Sequence, residues 1–229
     1  MDKQRHIIYV QPDYHTKTTK KLAISGYEQQ TDRLMDYQHL AALVTFAFVS
    51  TITPGPNNIM LMTSGANVGF LRTIPHMLGI IFGFSFMVIL VGIGLVGIFQ
   101  RYPLLQQALQ VISVCYLLYL AFVIARSQPS HSQGSDYRPM SFFSAASFQW
   151  VNPKGWTMAL TTVSVYNSTS DWYGIAIISA VFAVVNIPSV SIWTFAGKQL
   201  QQLIQQPTKI KWFNYAMAGL LLASLIQAL

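Results

Sequence analysis

The sequence predicts an all-α, polytopic membrane protein: about six transmembrane helices in two inverted three-helix repeats, each opening with a broken helix. Three observations predict it. Of 229 residues, 52% are hydrophobic and only 9% charged, against about 25% charged in a soluble domain. The apolar residues gather into runs near the roughly 20 residues a helix needs to cross a bilayer core. Two of these runs are interrupted at corresponding places by proline, glycine and, in one, lysine.

The first run, residues 37–62, contains Thr53-Pro54-Gly55-Pro56-Asn57-Asn58. The second, 77–99, carries no charge and holds Gly79 and Gly83, a small-xxx-small face that lets helices approach closely. The third, 104–125, is entered through Tyr102-Pro103. The fourth, 141–166, contains Trp150-Val151-Asn152-Pro153-Lys154-Gly155-Trp156 near its middle. The fifth, 173–196, includes Asn186-Ile187-Pro188. The sixth, 212–229, is marginal in length, so five crossings remain open. Trp172, Tyr173, Trp212 and Tyr215 stand at predicted ends, where interfacial aromatics belong.

Residues 1–36 differ from the membrane domain, 37–229. They hold six of the fourteen basic residues and five of the seven acids. The reading preferred here is a translation start at Met35, with the preceding residues a non-native extension. A disordered cytoplasmic tail is the alternative. Orientation bears on this choice. Basic residues favour the loops after the first, third and fifth segments (Arg72; Arg126 and Arg138; Lys198, Lys209 and Lys211), which places those loops in the cytoplasm and both termini outside. Six positive charges on an outward tail contradict that rule, and a start at Met35 removes the conflict.

The two breaks read as one site. A lysine at the centre of a spanning helix costs about 2.5–3.5 kcal/mol on insertion scales, and a mid-helix proline about 3 kcal/mol. Such a break survives where the loosened backbone lines a cavity or is buried in protein. Asn152 suits an N-cap and Pro153 the first helical position, and Thr53-Pro54 or Pro56-Asn57 can restart the first segment. Each restarted half-helix places unpaired N–H groups and a partial positive charge near the midplane. Three crossings are an odd number, so the second half enters from the opposite face and the two starts converge. With Lys154 the arrangement suits a carboxylate. The substrate-binding residues expected are Pro54, Gly55, Pro56, Asn57, Asn58, Asn152, Pro153 and Lys154, with Asn186 and Pro188 secondary. The bland alternative is that the prolines only kink helices and Lys154 pairs with backbone carbonyls or snorkels.

Absences narrow the chemistry. No Asp or Glu lies in any of the six runs. An unpaired charge in low dielectric is costly, so a cationic substrate is disfavoured and a small zwitterion fits better. Its amino group would use carbonyls freed at the breaks, with Asn57, Asn58 and Asn152. The usual carboxylate proton relay is missing too, which leaves coupling to Lys154 or another route. One cysteine, Cys115, and five scattered histidines offer no metal-site spacing. No cofactor, metal or nucleic-acid partner is expected, and no nucleophile–base pair supports an enzyme. Smaller signals are Gln106, Gln107 and Gln110 as helix–helix contacts, Tyr116 and Tyr119 as packing or cavity lining, and His76 as an interfacial residue. Gly65-Ala66-Asn67-Val68-Gly69 reads as helix-end chemistry, not a phosphate loop.

Thr53-Pro54-Gly55-Pro56-Asn57, the following Gly69-Phe70 and Arg72, and the mid-chain Asn152-Pro153-Lys154 resemble the LysE/RhtB family of bacterial amino-acid exporters. The resemblance covers about residues 35–229 and is closest to the cysteine and O-acetylserine branch, with homoserine/threonine exporters next. It implies a multi-pass protein of the bacterial inner membrane that exports small neutral amino acids or derivatives, coupled to protons. The extension before Met35 departs from the family. Oligomeric state is left open, a homodimer included. The rival readings are a membrane assembly protein without transport and an exporter of another small carboxylate.

Overall fold

The computed structural model describes residues 37–127, 137–167, 172–203 and 206–226. The readings of residues 1–36, including a start at Met35, lie outside them. The chain divides into two units, residues 1–42 and 43–229. Of the first, only the opening turns of helix α1 (Tyr37–Ile52) are described. All that follows concerns the second.

Among the described residues the protein is helical throughout, with no strand. After α1 come α2 (Pro56–Val68), α3 (Phe70–Leu90), α4 (Val96–Arg101), α5 (Pro103–Arg126), α6 (Phe142–Phe148), α7 (Pro153–Tyr166), α8 (Trp172–Leu203) and α9 (Pro207–Ile226). Three stretches are long and apolar enough to cross a membrane: Phe70–Leu95, Pro103–Arg126 and Trp172–Leu200. The pair α1 and α2, bent by 55° at the Thr53–Gly55 break, is long and apolar enough together to count as a fourth if it forms one span.

Several boundaries shift for identifiable reasons. α3 begins at Phe70, seven residues earlier than the apolar run suggests, because Gly69 takes φ +80 and lets the chain turn directly out of α2. Pro75 lies early in α3 and the helix runs through it. The same run ends in a π-helical turn, Val91–Leu95, where Gly94 adopts φ +105. α8 is continuous for 32 residues through Pro188. The buried polar residues Asn186 and Ser189 therefore stay on one helix.

Three apolar cores hold the bundle together. Leu43 and Ala47 of α1 share one with Phe84, Met87 and Val88 of α3, Ala159 of α7 and Phe182 of α8. Ile59 and Met60 of α2 join α5 (Leu117, Leu120, Ala121) and α9 (Phe213, Met217, Leu221) in a second. Leu61, Ile80, Ile81, Ala145 and Val190 form the third. Each break thus sends the two halves of one segment into different cores: α1 away from α2, and α6 away from α7. Close approach is set by glycines. A Cβ on Gly83 would lie 2.5 Å from the Ala146 Cα, and one on Gly79 would strike the Phe142 carbonyl. The small-xxx-small face therefore packs on α6, as expected. The outer surface exposes Phe82, Phe86, Val111, Ile112, Val184 and Leu220, the apolar exterior that lipid requires.

Candidate functional site

The two breaks meet. α1 ends at Ile52, and its last four carbonyls need partners from outside the helix ladder. Each is supplied. The Thr53 backbone N–H donates to Val49 O at 3.2 Å, and the Thr53 hydroxyl to Val49 O and Ser50 O at 3.0 and 2.9 Å. Thr51 O accepts from Asn58 Nδ2 at 2.7 Å and from the Ser189 hydroxyl at 2.9 Å. Ile52 O accepts from the Trp193 indole at 3.0 Å. Ser189 and Trp193 stand one turn apart on α8, so one face of that helix caps the broken end of α1. Asn58 Nδ2 also reaches Thr53 O at 2.8 Å.

The second break sends its lysine into the first. Lys154 Nζ donates to Thr53 O at 2.7 Å, to the Thr53 hydroxyl at 3.0 Å and to Pro54 O at 3.5 Å. Gly55 makes room for it: its backbone is extended at φ −176, and an added Cβ would lie 2.8 Å from Lys154 Cδ. Beside this bridge, Asn57 Nδ2 donates to Gln149 Oε1 at 2.9 Å, and Gln149 Nε2 returns a bond to Asn57 Oδ1 at 3.2 Å. Gln149 also donates to Ala145 O at 2.9 Å. The lysine thus does pair with backbone carbonyls, and those carbonyls belong to the opposite break.

Both half-helices restart with proline, α2 at Pro56 and α7 at Pro153, and neither start has a side-chain cap. That corrects the expectation for Asn152. It occupies the N-cap position with extended backbone, but its side chain caps nothing, and its buried Oδ1 has no partner among the described residues. The 3₁₀ turn Gln149–Val151 leads directly into Asn152. Instead Asn152 lines a cavity of about 30 Å³ with Asn57, Asn58, Gln149, Lys154 and Asn186. Space of that size holds roughly one or two waters, far less than an amino acid. Asn57 and Asn58 of α2 and Lys154 and Gly155 of α7 therefore line one small chamber. No aspartate or glutamate occurs among the described residues, so Lys154 is balanced by carbonyl and hydroxyl dipoles.

Pro188 does not line this chamber; its neighbours Asn186 and Ser189 act there. Gln149, Ser189 and Trp193 carry structural weight that the motif reading missed. Gln149 offered a signal, being an uncharged polar residue in an apolar run three residues before Asn152. Two other expectations are overturned. Gln106, Gln107 and Gln110 are exposed and not buried between helices of this chain. His76 is fully buried and not interfacial: its Nδ1 lies 3.4 Å from the Ser64 hydroxyl, which pairs with the Tyr137 hydroxyl at 2.8 Å. The early start of α3 carries His76 inward. Tyr116 packs on Phe148 and Tyr119, with centroids 5.6 and 6.1 Å apart.

Apolar helices of spanning length around a polar chamber where two broken segments meet define a membrane transporter. A family model for the LysE type translocator matches residues 48–225, and the chain belongs to that family. It is also similar to the cysteine/O-acetylserine efflux proteins of Escherichia coli (strain K12), Shigella flexneri serotype 5b (strain 8401) and Shigella sonnei (strain Ss046). It is 28% identical to each over 171 residues, covering 73% of this chain and 86% of the relative. No solved structure matches. Membership makes the chain a multi-pass inner-membrane protein of an amino-acid exporter family, and the relatives it matches are efflux proteins.

Proposed function

We propose that the chain exports a small neutral amino acid or derivative, of the cysteine, O-acetylserine, homoserine or threonine kind, through the chamber between the breaks. The observation that carries this reading is the seat of Lys154. Its ammonium rests on Thr53 O and Pro54 O, the carbonyls that a substrate's ammonium would use. A zwitterion can exchange with it. The substrate ammonium takes the carbonyls, and the released Lys154 pairs with the carboxylate, which also meets the uncapped starts of α2 and α7. Both charges are then compensated, and none is left alone in low dielectric. A substrate with a second positive charge would find no acid among the described residues to receive it. The relatives named as cysteine/O-acetylserine efflux proteins support the neutral choice.

In this reading the contracted chamber is an empty resting form, and loading requires α1/α2 and α6/α7 to separate. Two three-helix repeats of opposite orientation, rocking about the breaks, would expose the chamber to each side in turn. Proton coupling, a six-crossing topology and the candidate roles of Pro54 to Asn58, Asn152 to Lys154, Asn186 and Pro188 belong to the same proposal. The direct test is efflux from cells preloaded with labelled O-acetylserine, cysteine, threonine, homoserine and lysine. Export of a neutral member with lysine retained is expected; export of lysine alone would overturn the substrate class.

A further inference from the structure

We propose that a cleft between the end of α5 and the start of α9 binds the headgroup phosphate of an anionic glycerophospholipid. The site lies outside the transport chamber, and the inference does not depend on which amino acid is exported. The cleft has a volume of about 490 Å³ and is lined by Phe122, Ala125, Arg126, Ser127, Lys211 and Tyr215. Its two cations come from different helices, and both are exposed. No aspartate or glutamate stands beside them among the described residues. The Arg126 guanidinium lies 4.3 Å from the centre of the Phe122 ring, a cation–π contact that holds it over the cleft and leaves its N–H groups for an anion.

The order of residues along the two helices selects a lipid over a free anion. On α5, Leu118, Phe122 and Arg126 follow at four-residue spacing and share one face. On α9, running the other way, Lys211, Tyr215 and Leu222 share a face. Leu118, Phe122, Tyr215 and Leu222 are all exposed. From the same end, both helices therefore present cation, then aromatic ring, then aliphatic surface, the order of a phospholipid's phosphate, ester region and acyl chain. Trp212, packed on Tyr215 with centroids 6.1 Å apart, adds an interfacial anchor. Behind the cleft the helices are fixed by Asn214, whose amide donates to Ser127 O at 3.1 Å. The basic residues of these loops mark the cytoplasmic leaflet, where anionic lipids attract such clusters.

The test is native mass spectrometry of the full-length chain, with phosphatidylglycerol and phosphatidylcholine of identical acyl chains. Retention of phosphatidylglycerol should exceed that of phosphatidylcholine by at least about tenfold, given two cations near the headgroup. The Arg126→Gln/Lys211→Gln variant should bring the ratio close to one. An Arg101→Gln/Lys198→Gln variant, with the same change in net charge elsewhere, should keep it, as should the conservative Arg126→Lys/Lys211→Arg pair. Inorganic phosphate in excess should not displace the lipid. Equal retention of both lipids by the wild type would overturn the proposal, as would a ratio unchanged in the Arg126/Lys211 glutamine variant. Displacement by inorganic phosphate would show a free-anion site and overturn the lipid assignment.

Discussion

Asn57 and Gln149, separated by 92 positions in the chain, face each other amide to amide, each donating to the other at 2.9 and 3.2 Å. Gln149 is fully buried and Asn57 half-buried, and the pair is a strut between the restart of one broken helix and the end of the other. Replacing one partner with an apolar residue leaves the other unsatisfied, which costs about 1–3 kcal/mol. Gln149→Leu should lower the thermal midpoint of the detergent-purified protein and reduce efflux. The Asn57→Leu/Gln149→Leu double variant should lose less stability than the two single losses together, because the second change removes an orphan.

Gly55 is needed for the space above Lys154, since its φ of −176 is open to any residue. Gly55→Ala places a methyl 2.8 Å from Lys154 Cδ and should push the ammonium off Thr53 O. Efflux should fall by at least about tenfold, the effect of roughly 1.4 kcal/mol, while the amount of protein in the membrane stays unchanged. Efflux assayed against membrane abundance checks this.

The crossing of α2 and α8 depends on a reciprocal pair of glycines. A Cβ on Gly65 would strike the Thr194 carbonyl, and one on Gly197 the Met62 carbonyl. Backbone atoms cannot swing aside, so Gly65→Val and Gly197→Val should each destabilise by about 1–3 kcal/mol. Thermal unfolding in detergent measures the loss.

Tyr137 stands before α6 and reaches back to Ser64. Burial pushes its phenol up to about 12, with the hydrogen bond to Ser64 pulling the other way. An unfolded phenol titrates near pH 10. The folded value lies above the unfolded one, so this group's stabilisation is intact below about pH 10 and is lost as pH climbs through about 12. Tyr137→Phe should cost roughly 1 kcal/mol at neutral pH and make stability fall less steeply between those pH values. Unfolding midpoints measured against pH check both parts.

The breaks were legible because proline, glycine and lysine are costly inside an apolar run, so Pro54-Gly55-Pro56 and Pro153-Lys154 stand out from the residues around them. Their meeting was legible only as placement: the partner of Lys154 is the backbone of Thr53 and Pro54, and carbonyls leave no mark in a sequence. Ser189 and Trp193 were invisible for the same reason, since each donates to a main-chain oxygen. Asn152 was read by local propensity; it holds the N-cap position, but its side chain lines the chamber and caps nothing. His76 was misplaced because apolar content marks where a helix is greasy, whereas Gly69, by its positive φ, decides where α3 begins.

We propose that Lys154 holds the substrate through exchange at Thr53 and Pro54. Its most direct test is efflux of labelled O-acetylserine from cells expressing the wild type, Lys154→Ala and Lys154→Arg, each quantified in the membrane fraction. Loss of export in the alanine variant at normal abundance, with partial export in the arginine variant, is the predicted result. Normal export from Lys154→Ala would contradict it and reduce the lysine to a structural tie between the breaks.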